Sequence, residues 1–260
     1  MIDVVTLHRG SAPLLISLPH DGTGLPGSIA ARMTESATKV PDTDWFVSRL
    51  YDFARGLGAS VLVPAYSRYV VDLNRPPDDL SLYPGQNTTG LCPTVQFSGE
   101  PVYLPGQEPD ADDIARRVAT YWLPYHEALR AELARLHALH GRVLLWEGHS
   151  IRSRVPFLFE GRLPDFNLGT AGGASCTVDT QERVERVLSR QSRHSWVSNG
   201  RFKGGYITRH YGCPEQGVEA IQLELAQCSY MDEDQARYDA GKAEQLQAVL
   251  EALLRAGLPA

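Results

Sequence analysis

Two histidines stand where an apolar run gives way to a tight turn. His20 lies in Leu18-Pro19-His20-Asp21-Gly22 and His149 in Trp146-Glu147-Gly148-His149-Ser150. Imidazole is the commonest metal ligand and a frequent general base. Two strands that each finish in a histidine put both at the strand ends, where α/β sheets gather their sites. In an extended strand Glu147 and His149 point the same way, so Glu147 is either a further ligand or the carboxylate that orients a histidine from behind.

Asp42-Thr43-Asp44-Trp45 supplies the acidic partner. One aspartate serves as a helix cap, which leaves the other for a metal. Asp44 is the first choice and Asp42 the second. Two histidines and one carboxylate from separate parts of the chain make a three-ligand site with an open position for water or substrate, the arrangement of catalytic zinc. Such a metal lowers the pKa of a bound water and polarises a carbonyl. Glu224, inside the apolar run Ile221-Gln222-Leu223-Glu224-Leu225, is the candidate proton acceptor, because a carboxylate buried there needs a compensating charge. Arginines cluster at the same strand ends: Arg68, Asn74-Arg75, and Arg152 with Arg154 just beyond His149. Guanidinium groups suit bidentate capture of carboxylates, so an anionic substrate is expected, held by Asn74, Arg75 and Arg152. The glycine-rich stretch 199–209 lacks the spacing of a phosphate loop. It reads as a mobile loop that closes over substrate through Lys203, Tyr206 and Arg209.

The elements that must position these groups follow from periodicity. Short apolar runs predict strands over 14–18, 60–64, 69–73, 142–146 and 220–225. Amphipathic spacing predicts helices over 44–56, 110–139 (kinked at Pro124), 181–193 and 232–256. The alternation implies one α/β domain over 1–260 with a mostly parallel or mixed sheet. A long irregular insertion at about 76–109 interrupts it. Of the 260 residues, 43% are hydrophobic and 22% charged, with a net charge of −6. That composition suits a globular protein and not a nucleic-acid binder, which needs a basic patch. No apolar run reaches the roughly 18 residues of a membrane span. The start carries no basic, signal-like segment. The four cysteines are scattered singly, as expected in a reducing cytoplasm.

Taken together, these pieces resemble the N-formylglutamate amidohydrolase family. The resemblance rests on Pro19-His20-Asp21-Gly22, Asp42-Thr43-Asp44-Trp45, Val71-Asp72-Leu73-Asn74-Arg75, Gly148-His149-Ser150-Ile151-Arg152-Ser153, Leu163-Pro164-Asp165-Phe166-Asn167, Lys203-Gly204-Gly205-Tyr206-Ile207-Thr208, Gln222-Leu223-Glu224 and Tyr230-Met231. It implies a three-layer α/β/α sandwich with a mixed sheet, like that of the zinc carboxypeptidases. It also implies zinc-dependent hydrolysis of N-formyl-L-glutamate to L-glutamate and formate in histidine degradation. His20, Asp44 and His149 would hold Zn2+ or another divalent metal, and Glu224 would be the base. The substrate is then a small dicarboxylate. Another N-acyl amino acid or a small peptide is the alternative substrate; the alternative of another class is a non-catalytic binder of an acidic metabolite. The sequence departs from the carboxypeptidases at one place: their acidic ligand follows the first histidine by three residues, where this chain has Thr23.

Overall fold

The computed structural model describes residues 3–81 and 88–259. The expected insertion at 76–109 therefore lies in part, at 82–87, outside the described residues. In chain order the regular elements are β1 (Val5–His8), β2 (Leu14–Ser17), α1 (Gly27–Ala30), α2 (Val47–Leu50), β3 (Ser60–Pro64), α3 (Ala111–Arg117), α4 (Leu123–His140), β4 (Val143–Ile151) and β5 (Phe166–Gly169). There follow α5 (Val178–Arg190), β6 (Trp196–Ser198), α6 (Tyr206–Tyr211), β7 (Val218–Ala226), β8 (Met231–Asp232), β9 (Arg237–Tyr238) and α7 (Ala240–Gly257).

Seven strands form one mixed sheet in the order β1-β3-β2-β4-β7-β5-β6. The central strands β3, β2, β4 and β7 are mutually parallel, while β1 and β5 pair antiparallel with β3 and β7. The parallel centre is buried on both faces, which is why its sequence reads as continuous apolar runs. Side chains alternate across it. Leu14, Ile16, Leu144, Trp146, Ile221 and Leu223 pack with Val184 and Leu188 of α5 and Leu250 and Leu254 of α7. Leu15, Leu62, Val143, Leu145 and Ala220 face Tyr125, Leu129 and Leu133 of α4 and Ile207 of α6. The result is a three-layer α/β/α sandwich. Among the described residues, no helix is long and apolar enough to cross a membrane.

Four expected elements change form. Residues 69–73 do not join the sheet. The Tyr69 and Val70 carbonyls accept from Arg117 NH1 at 3.4 and 3.1 Å, and Asp72 N donates to the Leu91 carbonyl at 2.7 Å. Backbone groups committed in this way cannot form a ladder, so the segment turns. The helix expected over 44–56 is reduced to α2 and a 3₁₀ turn, Asp52–Leu57. Phe46 at its start is left-handed (φ 64°), a conformation that no helix interior allows. In 110–139 a π turn, Val118–Trp122, precedes Pro124 and absorbs the backbone hydrogen bond that proline cannot donate. Residues 231–238 form the β8–β9 hairpin. The last helix starts only after it, capped by Asp239, whose carboxylate accepts from Gly241 N and Lys242 N at 3.1 Å.

Arg117 ties α3 to the turn that carries Asp72 and Arg75. Its NH2 donates to Asp113 at 2.8 Å and its NH1 to the Tyr103 hydroxyl at 2.7 Å, and the residue is 1% exposed. Replacing it with methionine keeps the bulk but takes the N–H donor from the Val70 carbonyl and leaves Asp113 to Arg32, whose NH1 donates to it at 2.9 Å. Arg117→Met should cost on the order of 1–3 kcal/mol, read as a lowered urea midpoint.

Candidate metal centre and active-site cavity

The site lies at the carboxyl ends of the parallel centre. His20 follows β2, Glu147 and His149 sit in the last half of β4, and Glu224 sits in the last half of β7. His149 and Glu224 are register partners, so their side chains leave the sheet on the same face. Glu147 and Gln222, also register partners, share that face two residues earlier.

Each histidine is oriented by a carboxylate behind it. His20 Nε2 lies 2.7 Å from Asp72 Oδ1, and His149 Nε2 lies 2.6 Å from Glu147 Oε1. The carboxylates are themselves fixed. Asp72 Oδ2 accepts from Arg68 NH2 at 2.6 Å, and Glu147 Oε2 accepts from the Thr208 backbone N–H at 3.1 Å and from its hydroxyl. Both Nδ1 atoms consequently turn to one point, where Asp44 arrives. Asp44 Oδ2 is 3.0 Å from His149 Nδ1 and 3.7 Å from His20 Nδ1. The two rings stand 4.8 Å apart, centroid to centroid. His20, Asp44 and His149 thus present three ligand atoms within 4.8 Å of one another, all buried.

Two nitrogens and one oxygen converging from three segments, with carboxylates on the outer nitrogens, form a donor set suited to a divalent cation. The local charge agrees. Four buried carboxylates (Asp44, Asp72, Glu147 and Glu224) surround the site, with the buried Arg68 guanidinium among them. Burial alone would raise Asp44, yet hydrogen bonds from His149 and His20 hold it far below the ordinary carboxylate range. Burial would also raise Asp72, and the charges of His20 and Arg68 hold it down. Burial pulls His149 down, but Glu147 and Asp44 on its two nitrogens carry it well above the usual imidazole value. Glu224 moves the other way. Burial first, then the negative charge of Asp44, pushes it up to about 8 against the pull of His149 and Arg68.

The group opens into a cavity at the carboxyl ends of these strands. Its wall carries Arg68, Arg75 and Arg201 as cations and Phe97, Leu158 and Phe202 as apolar surface. Arg75 lies in the wall with its Nε on the Thr89 carbonyl at 2.9 Å. Asn74 also lines the cavity, but its amide is committed: Oδ1 accepts from Ile207 N at 2.9 Å and Nδ2 lies 3.2 Å from His149 Nε2.

Other expectations do not reach the cavity. Arg152 is exposed and its NH2 pairs with Asp234 at 2.8 Å, because on β4 and just beyond it odd-numbered residues face the site. Tyr206 stacks on His210 and stands beside Trp122, and Arg209 donates from Nε to the Gly204 carbonyl at 2.8 Å. The glycine-rich stretch is packed closely against its neighbours. A Cβ at Gly205 would meet Asn74 Nδ2 at 2.3 Å, one at Gly169 would meet Gly204 N at 2.7 Å, and Gly205 N donates to Gln222 Oε1 at 2.7 Å. Its glycines serve close packing. Asp42 accepts from Phe97 N at 2.8 Å and stands outside the three-ligand group. Asp72 and Arg201 went unassigned in the sequence. Asp72 had a usable signal, a carboxylate within the apolar run Tyr69-Val70-Val71-Asp72-Leu73.

A model of the N-formylglutamate amidohydrolase family matches residues 12–231. An N-formylglutamate deformylase of Pseudomonas aeruginosa is 55% identical over 255 residues, 98% of this chain and 96% of that protein. One of Pseudomonas putida is 50% identical over 257 residues, with 98% and 96% covered. Among solved structures, an N-formylglutamate amidohydrolase of Ralstonia eutropha superposes with a TM-score of 0.83 at 24% identity, covering 98% of this chain and 97% of that one. A protein of Agrobacterium tumefaciens superposes with a TM-score of 0.72 at 15% identity, covering 97% and 95%. At these identities the two structures attest the fold.

Because both ring nitrogens of His149 face carboxylates, a cation taken up at Nδ1 displaces a proton. Affinity for Zn2+ should therefore rise with pH from mildly acidic to mildly alkaline buffer, with proton release on binding. Competition against a chromophoric chelator at several pH values checks the sign.

Proposed function

The chain belongs to the N-formylglutamate amidohydrolase family, and from that membership and the cavity we propose how it performs the family's reaction. The enzyme hydrolyses N-formylglutamate at its linear amide bond. Zn2+ held by His20, Asp44 and His149 is the cofactor of this reading. Its support is the convergence of three buried ligand atoms within 4.8 Å beside Glu224, in a chain 55% identical to a deformylase.

When bound there, the cation supplies Lewis acidity at the formyl carbonyl and acidifies water. The chain's own groups do the rest. Glu224 lines the cavity on the face it shares with His149, and it takes the proton of the attacking water. As the carbon–nitrogen bond breaks, it hands that proton to the departing amine. A carboxylate raised toward neutrality suits a group that must both accept and donate. Arg68, buried and fixed by Asp72, turns a guanidinium toward the oxygen on which negative charge develops. Arg75 and Arg201 in the wall receive the two carboxylates of the substrate. Phe97, Leu158 and Phe202 cover its methylenes. The four cysteines are free, which supports placement in a reducing compartment, the cytoplasm. There the reaction would complete a route of histidine degradation.

Formate release from N-formylglutamate measures the activity directly. Glu224→Gln should lower kcat by roughly 100-fold or more while bound zinc stays stoichiometric. Near-normal turnover would remove Glu224 from the role of base. The two arginine positions separate cleanly. Arg75→Ala should raise KM by an amount on the order of 2–5 kcal/mol, whereas Arg152→Ala, an exposed surface pair, should leave KM and kcat close to those of the parent.

A further inference from the structure

The third ligand of the proposed centre rides on a segment with two left-handed non-glycine residues at its ends, Val40 (φ 45°) and Phe46 (φ 64°). A β-branched residue in that conformation is a marked outlier, and such backbone persists only where its surroundings hold it. The holding groups come from the turn after β7. Gln227 Nε2 donates to the Thr43 carbonyl at 3.0 Å, and Tyr230 Oη donates to the Trp45 carbonyl at 2.7 Å. Asp44 is therefore gripped through the carbonyl of the residue on each side of it.

The same two side chains reach β4. Ser150 Oγ lies 2.7 Å from Tyr230 Oη and accepts from Gln227 Nε2 at 3.4 Å, while Ser150 N donates to Asp44 Oδ2 at 3.0 Å. Tyr230, Gln227 and Ser150 are all buried, so the three form one closed network around the aspartate.

We propose that Gln227 and Tyr230 are positioning residues for the metal centre: a clamp that keeps Asp44 in reach of His20 and His149 and couples that ligand to β7, the strand that bears Glu224. This rests on the reading of His20, Asp44 and His149 as the metal ligands. Neither clamp residue lines the cavity, so each acts through Asp44. Without the clamp the strained segment relaxes, and the site keeps its two histidines but loses its anionic donor.

The test uses Co2+ titrated into the chelator-stripped full chain, followed by the visible d–d band and by competition with a chelator. Tyr230→Phe removes only the hydroxyl, and Gln227→Met keeps the length of the side chain. Each should weaken Co2+ by about 10-fold or more, the scale of a lost orienting partner, and should change the band. Ser175→Ala removes a buried hydroxyl bond to the Ala220 carbonyl (2.7 Å) away from this network, and should leave both unchanged. Should either clamp variant bind Co2+ as tightly as the parent chain with the same band, the clamp is overturned. Equal weakening in Ser175→Ala would overturn it as well, because the effect would then be general loosening. If Tyr230→Phe fails to fold, Gln227→Met decides. Failure of the parent chain itself to bind Co2+ is a distinct result, which overturns the metal reading on which the clamp stands.

Discussion

Two carboxylate–imidazole pairs, Asp72 with His20 and Glu147 with His149, set the geometry on which the rest depends. An imidazole ring has two nitrogens on opposite edges. Fixing Nε2 on a carboxylate oxygen at 2.7 or 2.6 Å decides where Nδ1 points. Done twice, with rings 4.8 Å apart, it aims both Nδ1 atoms at one point. The same pairs fix the orientation of each ring toward a cation. Their cost is the burial of two further negative charges. Arg68 and Thr208 offset part of it; the remainder is an electrostatic demand of the sign that a divalent cation would meet.

The sheet supplies the convergence. β2, β4 and β7 are adjacent and parallel, so their carboxyl ends open on one side. The period of two then sorts side chains by parity. On β4, Glu147 and His149 face α6, where Thr208 meets Glu147, while Gly148 presses on Leu18 and Tyr51, which a Cβ there would meet at 2.7 and 3.1 Å. On β7, Gln222 and Glu224 take the same face, with Gln222 holding the Gly205 backbone. Glu224, the proposed base, His149, a proposed ligand, and Glu147, which orients that histidine, are thus placed by strand pairing.

That sorting explains what could be read from the chain and what could not. His20, His149 and Glu224 announce themselves as polar residues at the ends of apolar runs, and the apolar runs of β2, β3, β4 and β7 mark the sheet centre. The outer strands β1, β5 and β6 do not stand out, because at three or four residues each is too short to show a period. Asp72 lies in a run that reads as a strand; Arg117, by occupying the Tyr69 and Val70 carbonyls, and Leu91, by accepting from Asp72 N, turn it into a loop. Arg152 misleads by proximity: it follows His149 closely in sequence, but an odd number of residues away it emerges on the opposite side. In the glycine-rich stretch, glycine permits both mobility and close packing, and at Gly205 the close approach of Asn74 requires it.

The proposed acidic ligand does not follow His20 by the short step that the carboxypeptidase comparison led one to expect. After His20 the chain is pressed against the exit of β3, so tightly that a Cβ at Gly22 would meet the Tyr66 carbonyl oxygen at 2.4 Å and that of Pro64 at 2.8 Å. This contact carries Thr23 to the surface and away from the two histidines. The carboxylate has to enter from another direction, and the segment before α2 is the neighbour within reach, joined to this turn by the Asp44 N to His20 carbonyl bond at 3.1 Å. A ligand on a helix or strand is held by its element. One on a seven-residue segment with left-handed residues at both ends must be held by something else, and side chains from beyond β7 fill that need. The departure in ligand spacing and the buried polar network behind Asp44 are therefore two sides of one constraint, the close passage of backbone at Gly22.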